Sequence, residues 1–423
     1  MQFIKSRLGM MMFLQYAVWG FWLPILALYL QEPIEEGGLG FTPGQVGWIL
    51  GLAGSIGAVT APFIAGQLAD RRFSTEKFLA VLLLVGGLIK WYTSTQTTFE
   101  AWLVLSILYS IVYQPTLALT NSLAFAHLDD ADREFPRVRV WGTIGWIAAS
   151  WIFPMVWLQT DLTLQALPPF LAGTEVTDAT ARLVDALKFS GGLSILYAGF
   201  CFLLPHTPPK REGVEPLAFA KAFALLRQRS FVLLVLASLP IAVIHQIYFM
   251  QTAPFLKTLG VRSSDIMPAM TVAQFAEILV LAALGWMIKS LGFRTTIALG
   301  GFAYVLRYAI FGTVDLPVEV IIASQALHGF CYACFFAAAF IYVDRIAPED
   351  VRHSAQTVFG IIILGLGPVI AAPFLGFLST TFSDEAGVLN YSGLWYTLSG
   401  VALVTTVLFL AFFRDETQDD DAI

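Results

Sequence analysis

Apolar residues run along this chain in stretches of about twenty, separated by short clusters of charge, glycine and proline. Twelve such stretches are legible, near 8–31, 44–69, 76–95, 99–127, 138–159, 187–205, 231–256, 265–288, 294–313, 317–344, 351–378 and 392–413. A run of ~20 apolar residues crosses the hydrocarbon layer as a helix, which satisfies its own backbone hydrogen bonds. The pattern predicts an all-α integral membrane protein of twelve transmembrane helices. Two connections are long, 160–186 and 206–230, and the second, which is charged, divides the spans six and six. The predicted domains are therefore a six-helix bundle over 1–205, a cytoplasmic linker over 206–230, a second six-helix bundle over 231–413 and an acidic tail over 414–423.

Charge fixes the expected orientation. With the N-terminus inside, seventeen of the 24 Lys and Arg fall in cytoplasmic segments. Arg182, Lys188, Lys257 and Arg262 fall on the opposite side, and Lys90, Arg139 and Arg307 lie within spans. The positive-inside bias places both termini in the cytoplasm, and the expected location is the inner, cytoplasmic membrane. The run from Leu8 to Leu30 is too long for a signal-peptide core and reads as the first span. Composition narrows the class further. The chain is 57% hydrophobic and 13% charged, against about 25% charged in soluble domains, which removes a soluble enzyme. A net charge of −6 offers nothing to nucleic acid. The three cysteines, all in apolar runs, suggest no disulfide framework.

The linker contains PLAFAKAFALLRQRS, in which Leu217, Phe219, Phe223 and Leu226 share one helical face; a helix lying on the inner leaflet is expected. The halves echo one another in GQLADRRFSTEKF (66–78) and GWMIKSLGFRTT (285–296), which follow the second and eighth spans. Six plus six helices with a weak repeat is the organisation of major facilitator transporters. The first copy resembles their signature loop at Gly66, Asp70 and Arg71, where a conformational latch is expected. Phe73-Ser74 and Glu76-Lys77 depart from it.

Ionisable groups inside spans are functional candidates, since charge at a helix centre costs about 2.5–3.5 kcal/mol. Here they are Lys90, Arg139, His245, Glu277, Arg307 and His328. Glu277 lies midway along the eighth span with Gln274 three residues before it, on one face. It is the expected proton carrier; a permanent pair with Arg139 or Arg307 is the alternative. Arg139, Thr143 and Trp146 follow i, i+4, i+7, so a guanidinium, a hydroxyl and an indole form one stripe, while Gly142 and Gly145 allow close packing on another face. The alternative for Arg139 is snorkelling to the surface, which is also the reading for Lys90. His245 with Gln246 and Phe249, and Gln325 with His328 and Tyr332, give polar-aromatic faces to the seventh and tenth spans. His328, Cys331 and Cys334 sweep around their helix, so no metal is expected.

At this point the segments FLQYAVWGFWLP, YQPTLALTNSLAF, FPRVRVWGTIGWI, AQFAEI and VDRIAPEDVRHSAQ together resemble the NupG-like nucleoside:proton symporters, a branch of the major facilitator superfamily. The resemblance runs through nearly the whole chain. It implies proton-driven uptake of purine or pyrimidine nucleosides, with Arg139, Thr143, Trp146, Gln246, Gln274 and Glu277 at binding positions. There are departures: Phe249 stands where an asparagine is expected, His328 and Tyr332 replace a tyrosine and a phenylalanine, and Ala333 replaces an acid. The chemistry stands beside the resemblance, because Trp146, Phe249 and Tyr332 offer faces for a base and Gln246, Gln274 and Glu277 can bond ribose hydroxyls. The proton is the expected coupling ion, with no other cofactor; the expected partners are a nucleoside, protons and the bilayer, and a monomer is expected. The rivals are a proton-coupled sugar or polyol symporter, a transporter-like nutrient sensor, a multidrug antiporter and a membrane enzyme. The amide stripe is too polar for apolar cargo, and the His and Glu candidates form no recognised catalytic motif.

Overall fold

The computed structural model describes residues 2–64, 73–166, 170–208, 228–348, 352–385 and 387–415. The described residues are mostly helical and include ten helices long and apolar enough to cross a membrane. Several coincide closely with the apolar runs, such as Phe99–Ala126, Arg229–Thr258 and Tyr391–Phe412. Leu196, Leu279 and Trp286 are each about 70% exposed, as expected of side chains that meet lipid rather than water.

Two of the expected spans need explanation. The runs expected at 265–288 and 294–313 lie in one unit of 50 residues, Ser263–Gly312. It is broken at Gly292, with φ 74 and ψ 167, a conformation that glycine adopts without a Cβ penalty. Asp415 receives the freed Phe293 N–H at 3.2 Å, and the Thr296 hydroxyl donates to the Gly292 carbonyl at 2.8 Å. The helix Thr75–Thr93 is long enough to span but carries Glu76, Lys77 and Lys90, so it is not among the ten.

The expectation of an all-α chain is corrected at the loop 160–186. Gln159–Leu164 and Leu171–Glu175 form a two-stranded antiparallel hairpin. Alternating QTDLTL suits an extended strand, and the register shifts between Thr160 and Thr163, where Asp161 has φ 54. Arg262 donates to the Gly173 carbonyl at 3.0 Å, and the Glu175 carboxylate accepts from Ser264 N–H at 2.7 Å.

The chain separates into two compact units: the described residues of Met1–Gly213 with Phe249–Thr271, and those of Val214–Tyr248 with Val272–Ile423. In the first, the helix Gln2–Gly20 packs along Ala131–Trp157, and Thr75–Thr93 along Asp185–Phe200. Serine hydroxyls tie these helices: Ser190 donates to the Val18 carbonyl and Ser194 to that of Leu83, each at 2.7 Å. Small hydroxylic residues suit tight interhelical seams in lipid. In the second unit, Val272–Gly312 packs along Tyr391–Phe412, with Ser399 donating to the Val305 carbonyl at 2.8 Å.

Beyond the first span the chain turns back on itself. The N–H groups of Leu39, Gly40 and Phe41 donate to the carbonyls of Tyr29, Glu32 and Leu30 at 3.1, 2.8 and 2.7 Å. Burial, followed by the hydrogen bond and charge of Glu36, pushes the Glu32 carboxyl up to about 7 from an ordinary 4.5, against the pull of Lys257. The native state therefore binds this proton more tightly than the unfolded chain, so stability is lost as pH rises from about 4.5 through about 7. Hydrogen exchange at Leu39–Phe41, corrected for intrinsic rate, is expected to lose protection across that window. Glu32→Gln should flatten the profile; a wild-type profile that is already flat would rule the mechanism out.

Candidate functional site

In the first unit the fifth-span stripe rests on a helix longer than expected. Ala131–Trp157 is capped by Asp130, whose carboxylate accepts the Arg133 N–H at 3.2 Å. It begins seven residues before the expected 138, so Arg139 stands two turns inside the helix and not at its mouth. The Arg139 guanidinium lies over the Tyr16 ring, 4.0 Å from its centre, a cation–π contact that holds it in the bundle. Trp146 meets Trp19 edge-on at 5.8 Å, and Trp19 meets Tyr113 at 6.3 Å. Tyr113 donates its hydroxyl to the Gln15 carbonyl at 2.5 Å, and the Gln15 amide donates to Thr116 at 2.7 Å.

Glycine sets this closeness. A Cβ on Gly142 would come within 2.6 Å of the Tyr16 ring, and one on Gly20 within 2.8 Å of the Trp146 carbonyl oxygen. The first and fifth spans thus meet backbone to backbone, as the small residues suggest. Arg139, Thr143 and Trp146 are each half-buried there.

Lys90 corrects the snorkelling expectation. It is 3% exposed, with Nζ 3.4 Å from the Trp22 ring centre and 4.1 Å from that of Tyr109. Two aromatic faces take the place of water around the ammonium.

In the second unit the local backbone of the tenth span assembles a cluster. The N–H groups of Gln325, Ala326, His328 and Gly329 bond three residues back, which tightens the helix and brings side chains at i and i+3 into line. A π-helical turn, Cys331–Ala337, follows. Gln325 and His328 therefore project together, and Arg307 meets both. One guanidinium nitrogen donates to His328 Nδ1 at 2.9 Å and the other to Gln325 Oε1. Arg307 is fully buried, and its charge lies 3.8 Å from the centre of the Tyr248 ring. Tyr248 donates to Gln325 Oε1 at 3.1 Å. The His245 and His328 rings stack at 5.4 Å, and His245 Nδ1 is 2.6 Å from the Tyr304 hydroxyl.

Glu277 joins this cluster through His328, with Nε2 and Oε2 3.9 Å apart and the carboxylate side chain 20% exposed. Gly329 makes the approach possible. A Cβ there would lie 2.6 Å from the Ala276 carbonyl carbon and 2.8 Å from the Glu277 nitrogen. The expected alternative of an Arg307–Glu277 pair is not the arrangement: Arg307 is taken by His328, Gln325 and Tyr248. Gln274 and Gln246 are half-buried, and Gln274 Oε1 is shielded without a hydrogen-bond partner. Tyr332 packs on Phe336 at 6.4 Å. Phe249 belongs to the residue set of the first unit, whereas Gln246 belongs to the second. The latch residues Gly66, Asp70 and Arg71, and most of the linker helix, lie outside the described residues.

Sequence reasoning missed Tyr248 and Tyr304. A signal was present on the ninth span, where Tyr304, Arg307 and Tyr308 at i, i+3, i+4 set two hydroxyls beside a buried guanidinium.

Residues 1–418 match the family described as Nucleoside H+ symporter. The chain is 32% identical to the putative nucleoside transporter YegT of Escherichia coli, covering 99% of this chain and 96% of that protein. It is 24% identical to the nucleoside permease NupG of the same organism, covering 97% and 96%. The crystal structure of nucleoside transporter NupG superimposes with a TM-score of 0.82 at 24% identity, covering 97% of this chain and 99% of that one. That of a D-xylose-proton symporter gives 0.71 at 11%, covering 97% and 98%. Such structural likeness carries the major facilitator fold, and the family match carries more: this chain is a multi-pass membrane protein that belongs to the nucleoside H+ symporter family.

Proposed function

We propose that the protein takes up nucleosides across the cytoplasmic membrane with protons, by alternating access. Family membership over residues 1–418 is the observation that carries this reading. The proposed architecture is twelve spans in two bundles, 1–205 and 231–413, joined by the linker 206–230 and followed by the tail 414–423. The break at Gly292 and the helix Thr75–Thr93 support twelve, and the lysine and arginine bias supports both termini inside. The protein acts as a monomer.

The proposed substrate-binding residues are Arg139, Thr143, Trp146, Gln246, Phe249, Gln274, Glu277, His328 and Tyr332. Flat faces suit a base, and the amides and carboxylate suit ribose hydroxyls. Glu277 carries the coupling proton. A membrane potential of 100 mV supplies about 2.3 kcal/mol per charge, or about fifty-fold accumulation.

Labelled uridine and adenosine uptake into proteoliposomes tests the reading. An imposed inward proton gradient should produce accumulation of at least one of them, with little competition from free ribose. Arg139→Ala and Gln274→Ala should each weaken binding, by about ten- to a hundredfold for the charged group and about tenfold for the amide. Unchanged affinity in both would remove the proposed site. Competition by ribose instead of uridine would favour a sugar symporter, and binding without transport a sensor.

A further inference from the structure

The second unit holds a fully buried arginine, Arg307, that the nucleoside chemistry does not use. Its contacts define the protonation of its neighbour. A guanidinium has only donors to offer, so the His328 Nδ1 that lies 2.9 Å from Arg307 must accept. The remaining proton of a neutral imidazole is then on Nε2, the nitrogen that faces Glu277 Oε2 at 3.9 Å.

We propose that Arg307 is a positioning residue that locks His328 as the neutral Nε2–H tautomer, a fixed donor toward Glu277, so that the coupling proton resides on the carboxylate and not on the imidazole. The proposal rests on the reading of Glu277 as proton carrier. A proton added at His328 Nδ1 would oppose the Arg307 N–H donor and place two cations 2.9 Å apart. Other groups meet the ring as well. His245 stacks on it at 5.4 Å, and the Tyr248 ring lies at 5.4 Å with its hydroxyl donated to Gln325. Gln325 holds the far side of the guanidinium, so Arg307 is gripped from two residues of one tightened turn. At 3.9 Å the Nε2–Oε2 contact is longer than a hydrogen bond. Such contacts often shorten only when a substrate is bound. His328 then steadies the ionised carboxylate by donating to it and makes no demand on it when protonated.

The test is nitrogen NMR of the full chain in lipid nanodiscs, with 15N-labelled histidine and the His328 signals assigned by their loss in His328→Gln. The wild type should show the neutral Nε2–H pattern from about pH 5.5 to about 8, where an ordinary histidine titrates. In Arg307→Met the signals should change to a tautomer mixture or titrate within that range, and Arg307→Lys should restore part of the lock. A wild-type His328 that is Nδ1–H or cationic at neutral pH overturns the proposal, and so does a spectrum unchanged by Arg307→Met. The wild-type spectrum decides even if Arg307→Met does not fold. Failure of proton-driven uptake would sink the coupling role of Glu277 but leave the tautomer result standing, so the two failures are distinguishable.

Discussion

Glu277→Gln is expected to abolish accumulation of nucleoside against a gradient. Glutamine keeps the size of the side chain and can still hydrogen-bond a ribose hydroxyl, but it cannot load and release a proton in this range. The accumulation ratio in proteoliposomes with an imposed proton gradient should fall from tens-fold to about one, because the potential no longer acts on a carried charge. Equilibrium binding should weaken by no more than about tenfold, the value of one hydrogen bond made by an ion rather than an amide. The carboxylate side chain is 20% exposed, with His328 Nε2 3.9 Å away. Uptake assays paired with calorimetric binding separate the two effects. A variant that still concentrates substrate as the wild type does would move the coupling group elsewhere.

Gly329→Val is expected to damage the second unit more than any polar substitution in it. The obstruction is backbone, since an added Cβ meets the Ala276 carbonyl carbon at 2.6 Å and the Glu277 nitrogen at 2.8 Å. A flexible side chain would move aside, whereas a helix has to shift as a whole. Overpacking typically costs about 1–3 kcal/mol, and a β-branched residue against a backbone belongs at the upper end. The shift would also separate His328 from Glu277. Melting temperature in detergent should fall by several degrees, nucleoside affinity should fall with it, and Gly329→Ala should lie between the two. A Gly329→Val protein with wild-type melting and binding would mean that the tenth and eighth spans do not approach at this point.

What was legible came from short-range patterns. The runs at 99–127 and 392–413 fall within a residue or so of the helices at each end, because the length of an apolar run is a local property. The Arg139–Thr143–Trp146 stripe was equally local, since it needs only helical spacing, whereas the meeting of Gly142 and Arg139 on the same Tyr16 ring was not. The start of the fifth helix was not legible by hydropathy: Arg133, Glu134 and Arg137 made residues 131–137 read as a loop, yet Asp130 caps the helix ahead of them.

Across spans, one sequence carries no information on which faces meet. Lys90 reads as a snorkelling lysine until Trp22 and Tyr109 are seen to enclose it. Arg307 could be matched on paper with any intramembrane carboxylate, and only the tightened turn at Gln325–Gly329 turns His328 and Gln325 toward it.

The sequence by itself determined a helical membrane chain, its candidate polar groups and the family those groups resemble, because hydrophobic length and residue spacing act within a single helix. The tertiary structure decided the partners of Arg307, Lys90 and Glu277. Burial in a bundle requires each polar group to find a contact across a helix seam, and the position of that seam depends on where glycines let backbones touch.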